Sequence, residues 1–117
     1  MKLIQGDDTI TVNELTQMSK KMFESLVKAV VDIEKQIMIV DAEMHADQEE
    51  VLLEQGSEQY NLWGINLHPD FFGTDEFIEF DSMINIRSSQ GNRSRGVENI
   101  ATQKVIRLIV DKFVRNA

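Results

Sequence analysis

The sequence predicts an α+β fold in two layers, with a mostly antiparallel β-sheet and two helices packed on one face. Apolar stripes at helical spacing lie near the two ends of the chain, and β-branched or alternating segments lie between them. The chain has 117 residues, of which 42% are hydrophobic, and it has no cysteine. We therefore expect a single α+β domain over residues 1–117, with a core that needs no disulfide.

The first half of the chain predicts a strand, a helix and a hairpin. Residues 2–5 form the short strand. Thr11 and Glu14 have the spacing of a capping box, which marks a helix start. The apolar stripe of this helix consists of Val12, Leu15, Met18, Met22 and Leu26. Residues 29–44 then read as two strands joined by a tight turn near Lys35 and Gln36.

The register of this hairpin separates apolar from charged residues. Alternation places one set on the core face, namely Ala29, Val31, Ile33, Met38, Val40 and Ala42. The opposite face carries Asp32, Glu34, Asp41, Glu43 and His45, with Val30, Ile37 and Ile39 among them. We expect this second face to be largely open to solvent.

The second half of the chain predicts strands followed by a helix. Residues 47–56 fit either a short helix or a strand that enters a hairpin. We favour the strand, onto which residues 61–67 would pair back. Residues 77–87 alternate and predict a long strand. Asn99 is a plausible N-cap for a final helix with an apolar side over residues 100–114.

Charge is segregated along the chain. Residues 36–86 contain twelve acids and no Lys or Arg, whereas residues 87–96 contain three arginines and no acid. Guanidinium groups, glycines and a following helix N-terminus are the features of an anion-binding loop. The donors that this loop offers are Arg87, Ser88, Asn92, Arg93, Ser94 and Arg95. Alternatively, the arginines form ion pairs that fix the loop to the acidic sheet.

A second candidate site lies on the charged sheet face. Carboxylates and imidazole suit a divalent metal, and a metal beside an arginine loop suits cleavage of a phosphoester. The ligands of such a hydrolase would be Asp41, Glu43, His45 and Asp81. The alternative is an ordinary wet face of an antiparallel sheet, which is commonly charged.

Composition excludes several other classes of function. The net charge of −8 argues against bulk binding of duplex nucleic acid or of anionic lipid. There is no Gly-x-Ser-x-Gly motif and no apolar run of about 20 residues. We therefore expect a cytoplasmic protein without a membrane span. Its aromatic residues Tyr60, Trp63, Phe71 and Phe72 could form a contact patch for a homodimer.

Four motifs show a resemblance to a known family. They are Lys28-Ala-Val-Val-Asp-Ile-Glu-Lys35, Glu43-Met-His-Ala-Asp47, Leu62-Trp-Gly-Ile-Asn66 and the long segment 77–96. With these motifs the chain resembles a family of small bacterial and archaeal proteins classed as a domain of unknown function. That family often has a glycine where this chain has Gln36. The resemblance carries no activity, substrate or catalytic residue.

The leading hypothesis is a non-catalytic, cofactor-free module that binds a small anion, such as phosphate or carboxylate, through the loop 87–96, and that self-associates. The alternative is the divalent-metal hydrolase. A third reading is purely structural, with the arginines and acids neutralising each other.

Overall fold

The centre of the fold is a five-stranded antiparallel sheet, seen in a computed structural model that describes residues 1–116. In chain order the strands are β1 (Lys2–Ile4), β2 (Ile10–Thr11), β3 (Val27–Asp32), β4 (Ile37–Val40), β5 (Leu62–Leu67), β6 (Ile78–Glu79) and β7 (Val114–Arg115). The helices are α1 (Val12–Met22), α2 (His45–Glu54) and α3 (Ile100–Phe113). The order across the main sheet is β1-β4-β3-β5-β6, and β2 and β7 form a separate parallel pair. The α+β class with an antiparallel sheet is thus confirmed.

Helix α1 and the β3–β4 hairpin form at the predicted places, but both are shorter than predicted. Helix α1 ends at Met22, so Leu26 of the predicted stripe lies outside it, and β4 ends at Val40. The Glu14 N–H donates to Thr11 Oγ1 at 3.0 Å, and the Glu14 carboxylate accepts from the Thr11 N–H at 3.3 Å. These two bonds make the capping box that starts the helix. In the hairpin, Asp32 pairs with Ile37, so residues 33–36 make the turn.

Both faces of the sheet are covered. Alternate hairpin residues Ala29, Val31, Met38 and Val40 share an apolar cluster with side chains of α1 and α3. On the other face, Val30, Ile37 and Ile39 pack with Leu52 of α2 and with Leu62. The sequence predicted two helices and an open second face. Among residues 1–116 the structure has three helices, and α2 covers part of that face.

The prediction of a strand within residues 47–56 is wrong. This segment is helix α2, and the face that it buries consists of His45, Gln48 and Leu52. Because two of these three residues are polar, the helix leaves no apolar stripe in the sequence. Strand β5 pairs with β3 and β6 rather than with this segment.

The prediction of a long strand over residues 77–87 is also wrong. Strand β6 contains only Ile78 and Glu79, and 3₁₀ turns follow at Met83–Asn85 and Ser88–Gln90. Beyond β6 the backbone of Gly64 in β5 pairs with a side chain instead of a strand. The Gly64 N–H donates to Asn85 Oδ1 at 2.8 Å, and Asn85 Nδ2 donates to the Gly64 carbonyl at 2.9 Å. One amide thus takes the place of a neighbouring strand.

The C-terminal helix begins at the predicted cap. Asn99 Oδ1 accepts from the Thr102 N–H at 3.1 Å. The helix ends at Phe113, one residue earlier than predicted, because Val114 joins β7 beside Ile10. Within residues 1–116, no helix has the length and apolar character needed to cross a membrane.

Candidate functional site

Arg87, the first predicted anion donor, is buried and bonded within the fold through its two terminal nitrogens, while its buried Nε has no hydrogen-bond partner among residues 1–116. Its Nη2 donates to the carbonyl of Leu62 at 2.8 Å, and its Nη1 donates to the carbonyl of Gln59. The guanidinium lies over the Trp63 ring, 4.1 Å from its centre. Burial lowers the pKa of Arg87, and the nearby Glu49 carboxylate opposes this shift. Arg87 therefore fastens the loop to the start of β5 and has no free face for a ligand.

Asn92 also has a role inside the loop. Its Nδ2 donates to the carbonyls of Asn85 and Gly96, at 2.8 Å each. Its Oδ1 accepts from the Glu98 N–H at 2.8 Å. All these groups are backbone groups of the segment itself, so Asn92 stabilises the loop and is not free to bind a ligand.

The remaining predicted donors lie on the outside of the loop. The side chains of Ser88, Arg93 and Ser94 are exposed. The Arg93 and Ser94 N–H groups donate to Glu98 Oε2 at 2.7 and 2.9 Å. The backbone bond from Arg93 is the main reason that the pKa of Glu98 is lowered. A carboxylate of the chain thus already occupies the backbone donors of this stretch.

Arg95 lines a cleft where α2 begins, and neither of the other two arginines lines it. Its Nε donates to Asp81 Oδ1 at 2.6 Å, which is the one ion pair that the three loop arginines make among residues 1–116. The cleft has a volume of about 130 Å³. It is lined by Lys28, Met44, His45, Ala46, Ser82, Met83, Ile84 and Arg95. These residues come from β3, the start of α2 and the segment after β6.

His45 forms the buried wall of this cleft, with only 7% of its surface exposed. Its Nε2 lies 2.7 Å from the carbonyl oxygen of Ile65. A carbonyl only accepts, so Nε2 carries the hydrogen and the neutral ring keeps a lone pair on Nδ1. Burial lowers the pKa of His45; Lys28 and Arg95 lower it further, and Asp81 opposes them. His45 is therefore neutral at pH 7.

Gly64 allows β5 to approach the cleft residues closely. A Cβ at this position would lie 2.5 Å from Ser82 Oγ and 3.2 Å from His45 Cγ. Real Cβ atoms do not come this close, so a side chain here would displace Ser82 or His45. Ser82 is itself fully buried, and its N–H donates to the carbonyl of Arg95 at 2.9 Å. Gly64 and Ser82 thus position His45 and Arg95.

The structure does not gather the predicted metal ligands. Asp41 follows β4 with a φ of +69°, and Glu43 is exposed. His45 and Asp81 lie near the cleft, where Asp81 is paired with Arg95. In the part of the chain that the structure describes, no group of three or more His, Asp or Glu side chains could hold a metal ion.

The predicted aromatic patch is also divided. Trp63 is buried beneath Arg87, and Phe72 packs edge to face against Phe77 with ring centres 5.1 Å apart. Tyr60 and Phe71 are exposed, at 54% and 46% of their surface. Only these two are available for contact with a partner.

The cleft has an excess of positive character. Lys28 has no carboxylate within ion-pair distance in residues 1–116. The first turn of α2 receives no side-chain cap, and its Asp47 N–H donates to the Met44 carbonyl at 3.2 Å. The N–H groups of His45 and Ala46 are therefore the backbone donors that this helix start offers. An uncapped helix start carries roughly half a positive charge. The arrangement can hold a small anion.

Sequence reasoning found Arg95 and His45 but assigned them to different sites. It missed Lys28, Ser82 and the start of α2. Gly64 was the available signal, since a glycine within a buried strand marks a close approach by another group.

Comparison with known proteins identifies a family for the chain but gives no activity, substrate or ligand. No curated protein and no solved structure matches the chain. A family model with the description "Protein of unknown function (DUF5674)" matches residues 2–113, which is nearly the whole chain. The chain therefore belongs to this family of proteins of unknown function, as the four sequence motifs indicate.

Proposed function

We propose that this protein is a non-catalytic module that binds a small anion in the cleft at the start of α2. The observation that carries the proposal is the meeting of Lys28, Arg95 and the uncapped first turn of α2 around one cleft. The loop 87–96 contributes one arginine to this site instead of three. The other two arginines serve the loop or face solvent.

The donors in the cleft suit an anion in both number and kind. Arg95 uses its Nε for Asp81, which leaves its two terminal nitrogens for a ligand. Lys28 adds an ammonium group that lies 5.0 Å from the centre of the Phe23 ring and that no carboxylate of residues 1–116 neutralises. The backbone N–H groups of His45 and Ala46 at the start of α2 add preorganised donors, as in many anion sites.

The size of the cleft limits the ligand. Sites for drug-sized molecules occupy roughly 300–1,000 Å³. At about 130 Å³, this cleft accommodates a single small group. We therefore expect binding of a simple anion, and no increase in affinity from a nucleoside attached to it.

The test compares two arginines of the same loop. Arg95→Gln and Arg93→Gln each remove one exposed positive charge, but only Arg95 lines the cleft. We expect isothermal titration calorimetry to detect binding of acetate and of phosphate. Arg95→Gln should weaken binding by about tenfold, the equivalent of one charge-assisted hydrogen bond. Arg93→Gln should leave it within a factor of two.

A third variant, Lys28→Gln, should weaken binding as Arg95→Gln does. If Arg93→Gln and Arg95→Gln weaken binding equally, the effect is one of general charge and the cleft is not the site. If neither anion binds to the wild-type protein up to high millimolar concentration, the proposed function is wrong.

The other functional hypotheses gain no support from the fold. A metal-dependent hydrolase has no cluster of ligands within residues 1–116. Self-association and a cytoplasmic location stay predictions of the sequence.

A further inference from the structure

Two large apolar side chains stand exposed at the proposed anion site. Met44 is 56% exposed and Met83 is 65% exposed, and both line the cleft together with Ile84. Methionine is flexible and polarisable, and it is common on surfaces that adapt to apolar ligands. The cleft thus combines cationic donors with an apolar rim.

The charge of the cleft suits a ligand with one negative charge. Asp81 balances Arg95 at 2.6 Å, and His45 is neutral because it is buried. Lys28 is then the one cation of the cleft without a carboxylate partner among residues 1–116. The Asp47 carboxylate in the first turn of α2 offsets the partial positive charge of the helix start. A singly charged carboxylate matches this sum better than a phosphate dianion does.

We propose that the ligand is a monocarboxylate with a short apolar chain, an inference that rests on the proposed anion site. The carboxylate lies between Lys28, Arg95 and the first turn of α2. The apolar chain lies along Met44 and Met83. This chemistry is shared by free short-chain acids and by the C-terminal carboxylate of a peptide that ends in an apolar residue.

A series of acids tests the apolar part of the proposal. Calorimetric titration would compare acetate, butanoate, hexanoate and inorganic phosphate at one ionic strength. Complete burial of a methylene strengthens binding by about fourfold. Because the rim is open, we expect a smaller gain per methylene and hexanoate to bind at least about tenfold more tightly than acetate. Phosphate should bind more weakly than hexanoate.

The outcomes separate this inference from the proposed function. Equal affinities along the series, or tightest binding of phosphate, would overturn the inference and leave the anion site standing. Failure of every acid and of phosphate to bind would remove both.

A rim variant and a matched control locate the apolar contact. Met83→Gln should abolish the gain from acetate to hexanoate while leaving the affinity for acetate within a factor of two. Leu108→Gln is the control, since Leu108 is 69% exposed on α3 and does not line this cleft. It should leave the whole series unchanged. The inference fails if Met83→Gln preserves the dependence on chain length.

Peptides distinguish the two sources of the carboxylate. An acetylated dipeptide that ends in leucine would be compared with its C-terminal amide. Tighter binding of the peptide acid than of hexanoate supports a peptide C-terminus as the natural source, and weaker binding supports a free acid. Equal binding of the amide and the acid would overturn the proposed carboxylate.

Discussion

The β3–β4 hairpin borders strand β5 on one side, and the segment 80–98 borders it on the other. The backbones of these two regions find hydrogen-bond partners in different ways. In the hairpin, backbone groups pair with backbone groups in a regular ladder. In the segment, side-chain amides of Asn85 and Asn92 bind the backbone of Gly64, Arg95 and Gly96. Because every buried backbone group needs a partner, both solutions are stable. Only the ladder leaves a periodic signal in the sequence.

Asn85→Ala tests most directly whether a side-chain amide replaces a neighbouring strand, and it should have the largest effect on stability. The change leaves the N–H and carbonyl of Gly64 without partners, and it removes a bond to the Arg95 carbonyl. Each buried unpaired group costs about 1–3 kcal/mol. We expect the free energy of unfolding in urea to fall by about 3–5 kcal/mol.

Asn99→Ala is the matched control for this change. Asn99 caps α3 at an exposed position, and loss of such a cap costs about 1 kcal/mol. If the two variants are equally stable, the Asn85 amide does not replace a strand.

Arg87→Met tests the second side chain that fastens this segment to β5, and it should have the next largest effect on stability. It removes the bonds to the carbonyls of Gln59 and Leu62 and the stacking on Trp63. We expect a loss of about 2–3 kcal/mol in urea unfolding. Arg93→Met should stay within about 0.5 kcal/mol, because Arg93 is exposed. Similar losses for both variants would contradict the structural role of Arg87.

These two regions explain how much of the fold could be predicted. The capping box at Thr11, the hairpin register and the Asn99 cap rest on local rules that act within a few residues, and all three are confirmed. The segment after β6 depends on contacts between residues about 20 positions apart in sequence, such as Asn85 with Gly64. No local pattern encodes those contacts.

The candidate site was harder to predict than the fold. Its residues come from three separate parts of the chain. The prediction of a strand in residues 47–56 rests on pairing with residues 61–67, and the polar His45 and Gln48 on the buried face of α2 leave no apolar stripe that would favour a helix. Charge segregation located the loop correctly. It did not reveal that Arg87 is buried, since an arginine stacked on Trp63 looks the same in sequence as an exposed one.

The buried His45 at the cleft should make the stability of the folded protein depend on pH. Burial lowers the pKa of His45 below 6.5 in the folded protein, while the unfolded chain keeps the ordinary value. Below pH 6.5 the unfolded state therefore binds more protons, so stability falls as the pH drops towards the lowered pKa. Above pH 6.5 this penalty is absent.

His45→Gln isolates this effect, because its amide can still donate to the Ile65 carbonyl but does not titrate. Urea unfolding between pH 8 and 5 should show that the wild type loses stability relative to this variant as the pH falls. If the free energies of unfolding of the wild type and His45→Gln fall equally with pH, His45 accepts a proton in the folded state as readily as in the unfolded chain.

The smallest expected effect lies in the regular region, at the hairpin turn. Gln36 has a φ of +55°, in the left-handed region that a residue with a Cβ adopts at a cost of roughly 1–2 kcal/mol. Glycine avoids this cost but loses more entropy on folding. We expect Gln36→Gly to raise the free energy of unfolding by about 0.5–1 kcal/mol. Gln17→Gly, at an exposed position of α1, should lower it by about 1 kcal/mol. Opposite signs for the same substitution would show that backbone conformation alone decides stability at the turn. A loss at both positions would mean that the Gln36 side chain contributes more than its strain costs.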